Sequence, residues 1–220
     1  MTTTGKSARN CVELIGYYGS DESHALSAWT STSRELTDAK RARIPELLKM
    51  LADKEHHTPF EKSALHFLVT SDIASHIHVL KHRIGVSVNA ESARYKELKD
   101  DKFYVPVDWP GEEREAFFEE MAVLYKRYHS RVMRMEKWYL EQGYDEKKAR
   151  SRAKESARLG LPYANQIVQD VQFNFRSFMH FLHLRLDPHA QVEIQHIACA
   201  MLDRVRETGA FNHSLSAFGY

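Results

Sequence analysis

Three short segments concentrate polar chemistry at spacings that core packing does not require. Residues 56–61 read His-His-Thr-Pro-Phe-Glu. Residues 81–95 place Lys81, His82 and Arg83 in succession and follow them with Ser87, Asn89, Ser92 and Arg94. Residues 156–191 carry Arg158, Asn174, Arg176, His180, His183, Arg185 and His189. Lys81, His82 and Arg83 are consecutive donors at the end of an apolar stretch, and Arg94 adds a guanidinium, whose planar fork is the preferred partner of a phosphate. That combination is the chemistry of an anion site. Arg158 and Arg185 lie among apolar neighbours, where an unpaired charge is costly, so each must meet a carboxylate or an anionic ligand. Solvated charges and structural ion pairs are the plainer account of any one segment alone; three segments in one small chain favour a ligand.

Metal chemistry is not expected from the histidines. His78 and His82 are four apart and can share a helix face, but no carboxylate or cysteine completes a site at standard spacing and no His-Glu-x-x-His motif occurs. Cys11 and Cys199 sit far apart and propose neither a disulfide framework nor a metal cluster, which suits a reducing, cytoplasmic address. The 31 Lys and Arg residues against 30 Asp and Glu give a net charge of +1, and this balance argues against a protein that coats nucleic acid or a membrane surface. No run approaches the roughly 20 apolar residues that cross a bilayer. The opening MTTTGKSARN lacks the apolar segment of a secretory signal.

The elements that must position these groups are mainly helical. Only 9 Gly and 6 Pro interrupt 220 residues. Phe117, Met121, Leu124, Tyr128, Val132, Met135 and Tyr139 recur at helical steps after Pro110-Gly111, with Glu112, Glu113 and Glu115 at the dipole-favoured start and Gly143 closing the run. Further helices are expected over about 188–207 and 39–53, the latter with Pro45 as a candidate first turn. Strands are expected at residues 11–18, 64–70 and 169–174. The composition and pattern predict a single α+β domain over 1–220, helix-dominated, with a small sheet containing antiparallel strands.

Four motifs in register carry a resemblance to a known family. Residues 81–95 resemble the signature of the flavin-dependent thymidylate synthases: Arg-His-Arg, seven residues, Ser, then Gly-Arg-Tyr. Residues 56–61 resemble the family's His-x-Thr-Pro-Phe-Glu, residues 157–162 its Ala-Arg-x-x-Leu-Pro, and residues 184–191 its Leu-Arg-x-Asp-x-His-Ala-Gln. The resemblance implies a homotetramer whose flavin adenine dinucleotide (FAD) lies in pockets shared between subunits. It also implies transfer of a one-carbon unit from methylenetetrahydrofolate to carbon 5 of deoxyuridine monophosphate, giving thymidylate, with NADPH regenerating reduced flavin. Carried over by position, Thr58, Lys81, His82, Arg83, Asn174, Arg176 and His180 contact the flavin. His78, Lys81, Ser92, Arg94, Arg158 and Arg185 surround the nucleotide. Arg185 activates the uracil, Ser92 positions the nucleotide beside the chemistry, and His56 stands at the folate end.

The chain departs from the signature in ways that bear on specificity. Lys81 replaces the first arginine, eight residues separate Arg83 from Ser92, and Ala93 replaces the glycine. His78 stands for the usual Gln, Ala90 for Glu and His180 for Asn. Loss of the carboxylate at Ala90 leaves room near the sugar, and a site with mere room for a hydroxyl discriminates weakly. Uridine monophosphate, as used in a specialised pathway such as nucleoside antibiotic assembly, is therefore an alternative substrate. A nucleic-acid-binding module is the non-enzyme alternative, supported only by local clustering of Arg and His.

Overall fold

Regular structure in the computed structural model, which describes residues 6–7, 9–92 and 101–220, begins with β1 (Lys6–Ser7), β2 (Cys11–Tyr18), α1 (Asp21–Trp29), α2 (Asp38–Ala42) and α3 (Ile44–Asp53). A 3-10 turn at Thr58–Glu61 leads to β3 (Ala64–Asp72), α4 (Ile73–Leu80), β4 (Val86–Ala90), β5 (Lys102–Phe103) and the long α5 (Gly111–Glu141). The chain continues through α6 (Glu146–Ala157), a 3-10 turn at Arg158–Gly160, β6 (Gln166–Phe173), α7 (Phe175–Arg185), α8 (Val192–Glu207) and α9 (Asn212–Ala217). Helices dominate, and β2, β3, β6 and β4 form, in that order, a small antiparallel sheet. The fold is thus α+β and helix-rich. Two compact units are formed, one from Met1–Asn10, Thr70–Ile77 and Ala90–Gln169 and the other from Cys11–Val69, His78–Asn89 and Asp170–Tyr220.

In the first unit α5 and α6 are held by complementary side-chain sizes. Ala149, Ala153 and Ala157 recur every four residues on α6 and are fully buried, in one cluster with Tyr128, Val132 and Tyr139 of α5. Farther up α5, Met121 and Tyr125 pack with Phe103 and Val105, and the single hydroxyl hydrogen of Tyr125 is shared between the Lys102 carbonyl (2.8 Å) and the Asn165 side-chain oxygen (2.9 Å). Here too β3 turns into α4. The Asp72 carboxylate accepts from the Ser75 N–H and hydroxyl (2.8 Å each) and from Asn10 Nδ2 (3.0 Å), satisfying donors that a helix start leaves open.

The second unit is built on aromatic residues. Phe60, Phe67, Phe173, Phe175, Phe178, Phe181 and Phe211 are all fully buried in one cluster, each such side chain contributing about 1.5–3 kcal/mol. A polar chain crosses this core. Asp21, opening α1, accepts from the His213 and Ser214 N–H groups (2.8 and 2.7 Å) and from the Ser214 hydroxyl (2.6 Å). His24, one turn on, has Nδ1 at 2.9 Å from Ser214 Oγ and Nε2 at 2.8 Å from Ser63 Oγ. Because the Ser214 hydrogen is committed to Asp21, Nδ1–H donates to Ser214 and Nε2 accepts from Ser63. Serine, histidine and aspartate are all present, yet they are wired in the wrong order for a nucleophile and serve to tie α1 to α9.

Several elements differ from the sequence expectation for definable reasons. The expected helix over 39–53 breaks at Arg43 into α2 and α3, with Pro45 in the first turn of α3, where its missing N–H costs nothing. The helix expected from about 188 begins at Val192, because Asp187 accepts from the His189 N–H (2.8 Å) and holds residues 187–189 in a turn. β2 matches its expected span, whereas β6 starts three residues earlier than expected.

Burial holds the imidazole of His24 down at about pH 4, against an ordinary value of 6.5. As pH falls through 6.5 the unfolded chain takes up a proton that the folded chain refuses, so stability is lost progressively from pH 6.5 to 4, by about 3 kcal/mol for this residue. Melting curves followed by circular dichroism are expected to show Tm falling across that window. In His24→Gln, which cannot titrate, the decline should be shallower.

Candidate active site

Arg185 ends α7, where the helix dipole favours a cation, while Arg176 sits in the first turn, where it does not. Arg176 is balanced by Glu61, 3.7 Å away at the end of the 3-10 turn Thr58–Glu61. That turn is anchored by Phe60, fully buried against the rings of His24, Phe175 and Phe218. Between Arg176 and Arg185, His180 and His183 follow at steps of four and three and share a face with Arg176.

Facing α7 is the loop after α4. Asn174 binds this loop with its backbone and its own helix with its side chain. Its N–H donates to the Gly85 carbonyl (2.9 Å), and its Oδ1 caps α7 by accepting from the Ser177 N–H (2.8 Å). Ser177 returns the link, its hydroxyl donating to the Ile84 carbonyl (2.7 Å). Gly85 has φ +65, and a Cβ there would collide with Asn174 Nδ2 and Ser177 Oγ. A glycine is required on both counts.

These segments enclose a cavity of about 790 Å³. Lys81, His82, Arg83, Arg176, His180 and Arg185 line it, together with Glu55, His57, Met179, His183, Phe218 and Tyr220. Glu55 is the one carboxylate among these lining residues. Arg185 Nε donates to His82 Nε2 (3.0 Å), and its Nη2 donates to the His78 carbonyl (3.2 Å). Burial chiefly, then the charges of Arg185, His180 and His78, hold His82 at about 4. Burial likewise lowers the guanidinium pKa of Arg185. A cavity of this size lined by cations together with Met179, Phe218 and Tyr220 suits a ligand that joins phosphate to flat rings, as a flavin nucleotide does.

The expected site residues separate into groups. Lys81, His82, Arg83, Arg176, His180 and Arg185 come together around the cavity. Asn174 lies beneath it as the helix cap, and His78 contributes its carbonyl. Thr58 and His56 are exposed and outside the lining, whereas the neighbouring His57 is within it. Ser92 and the half-buried Arg158, which follows α6, belong to the first unit. Arg94 lies outside the described residues. Sequence reasoning noted His57 and His183 without giving them a site role, and missed Glu55, Phe218 and Tyr220. Helical spacing from Arg176 was a usable signal for His183; nothing local marked the two aromatics.

Residues 13–208 match the family described as thymidylate synthase complementing protein. The chain belongs to this family. Its relatives include the flavin-dependent thymidylate synthase of Pseudothermotoga lettingae, 31% identical over 204 residues and covering 88% of this chain and 83% of the relative. That of Thermotoga neapolitana is 32% identical over 199 residues, with 89% and 85% covered. Among solved structures, a UMP/dUMP methylase from Streptomyces cacaoi bound with 5-Br dUMP superposes with a TM-score of 0.72 at 28% identity, covering 97% of this chain and 96% of that one. The same methylase bound with 5-Br UMP gives 0.70 at 26%, covering 98% and 96%.

Gly85→Ala is expected to destabilise the protein by about 2 kcal/mol or more, combining left-handed strain with displacement of the Asn174 cap. Gly209 has nearly the same φ, +66, with open space where a Cβ would stand, so Gly209→Ala should lose only about 1 kcal/mol. Denaturant midpoints of the two variants separate the strain from the collision.

Proposed function

We propose that this protein catalyses flavin-dependent methylation of carbon 5 of deoxyuridine monophosphate, producing thymidylate. The single observation that carries this reading is the cation-lined cavity formed by residues of the family signature in a chain that belongs to the family. Membership of an enzyme family sets aside the nucleic-acid-binding alternative. FAD, when bound, supplies the reducing equivalents, with NADPH as reductant and methylenetetrahydrofolate as one-carbon donor. Lys81, His82, Arg83, Arg176 and His180 hold its phosphates and ring system, and Asn174 fixes the loop that presents the first three. Thr58 adds a hydroxyl contact and His56 serves the folate end.

Arg185, Lys81, Ser92, Arg94, Arg158 and His78 bind the nucleotide. Arg185 acts on the chemistry: a fixed, partly desolvated guanidinium stabilises the negative charge that gathers on the uracil oxygen as carbon 5 becomes nucleophilic. Ser92 orients the ring and does not attack it. The enzyme works as a cytoplasmic homotetramer. Exposed Met133, Leu159 and Tyr163, together with Ile84 beside the cation loop, support the association of copies. Among the described residues no helix is long and apolar enough to cross a membrane.

A second reading adds uridine monophosphate as a substrate. It is favoured by Ala90, where the family signature carries a carboxylate, and by likeness to a methylase that is named for both nucleotides.

Protein purified with flavin is expected to be yellow. With both nucleotides at equal concentration, turnover of the deoxynucleotide is expected, and comparable turnover of the ribonucleotide would establish the second reading. Arg185→Ala should lower kcat by about 10²–10³-fold with a smaller change in nucleotide affinity. A colourless protein that cannot be reconstituted with flavin, or full activity in Arg185→Ala, contradicts the proposal.

A further inference from the structure

Arg185 is aimed by a neutral histidine. Of the five N–H donors on its guanidinium, one meets His82 Nε2 at 3.0 Å and another the His78 carbonyl at 3.2 Å. No carboxylate lies within ion-pair distance of it among the described residues. Arginine Nε can only donate, so His82 Nε2 must carry the lone pair and its proton must sit on Nδ1. Protonation of His82 would set one N–H against another and bring a second cation onto Arg185. The bond therefore exists only while His82 is neutral.

The surroundings hold it in that state. His82 is 8% exposed, and its ring meets Phe181 edge-on at 5.0 Å and His180 at 6.0 Å. The titratable or charged groups facing it are Arg185 and His180 from α7 and His78 from α4, all of them basic. Its sequence neighbours Lys81 and Arg83 are basic as well. Nothing among these groups rewards a charge on the imidazole.

We propose that His82 is a positioning residue for Arg185: its unprotonated Nε2, together with the His78 carbonyl, clamps the guanidinium so that its remaining donors serve the cavity. The inference rests on the proposed role of Arg185 at the nucleotide. It gives the histidine of the signature a task separate from flavin contact, and gives His78 a task that its backbone, not its imidazole, performs. Position is what the clamp supplies. Misplacement of a reacting or stabilising group by about 1 Å costs on the order of 10²-fold in rate.

The test compares wild type, His82→Gln and His82→Phe, each saturated with flavin, assayed with deoxyuridine monophosphate, and crystallised. Glutamine offers Oε1 as an acceptor for Arg185 Nε; phenylalanine fills similar space and offers none. His82→Gln is expected to keep kcat within about tenfold, the worth of one hydrogen bond. His82→Phe should lower kcat on the order of 10²-fold, with nucleotide KM moving far less, and Arg185 should leave the His78 carbonyl in the crystal. Wild-type kcat in His82→Phe, equal losses in both variants, or an unmoved Arg185 in His82→Phe crystals would overturn the proposal. If wild type methylates neither nucleotide, the functional reading fails, while the position of Arg185 in the two variants still decides this inference.

Discussion

The cationic lining of the cavity depends on how the N-terminus of α7 is closed. A helix start leaves N–H groups without partners, and Asn174 satisfies one of them with its side chain. The same residue donates its own N–H to Gly85, and the neighbouring Ser177 reaches Ile84. Two bonds therefore bind residues 84–85 to the helix that carries Arg176, His180 and Arg185, and the side-chain cap holds Asn174 in place to make one of them. Two segments distant in sequence then act as one rigid frame, and several like charges can be kept together without the frame opening. Gly85 is the geometric condition for this closure, because any side chain there would occupy the space of the cap.

Some of this was legible in the amino-acid sequence and some was not. The stepwise apolar residues of α5 and the alternation in β2 declare themselves, since burial on one face is a local pattern. The cation loop and the arginines were visible as residue types, and their register with a known family assigned them roles. What escaped was anything that depends on long-range closure. α7 is buried on much of its surface, with phenylalanine at 175, 178 and 181, so its apolar residues blur the amphipathic signal that would have marked a helix. That Asn174, expected at the flavin, also caps α7 with its carboxamide oxygen was not legible. Phe218 and Tyr220 follow α9, which long-range packing on α3 and the bonds to Asp21 of α1 bring to the cavity.

That fastening shows how a core of aromatic residues accommodates polar groups. Asp21, Ser214, His24 and Ser63 form a continuous series in which each hydrogen has an acceptor, so burial costs little. Its stability depends on a neutral imidazole, as does the geometry at Arg185. Two histidines in unlike settings are thus held uncharged chiefly by burial: one within an apolar core, where hydroxyls satisfy both ring nitrogens, the other with the basic groups Arg185, His180 and His78 adding to the effect.

The crowd of positive groups along the cavity has a consequence for how ligands arrive. Lys81, Arg83, Arg176 and Arg185 face Glu55 as the single acid in the lining, so the mouth of the cavity concentrates anions from solution before any contact is made. Attraction at that range is screened over about 8 Å at physiological ionic strength, while bonds to the half-buried Arg185 are screened less. Capture and retention therefore respond differently to salt. Added electrolyte slows the entry of a phosphate-bearing ligand and competes for the loop, and it acts less on the residence of a molecule already seated against Arg185.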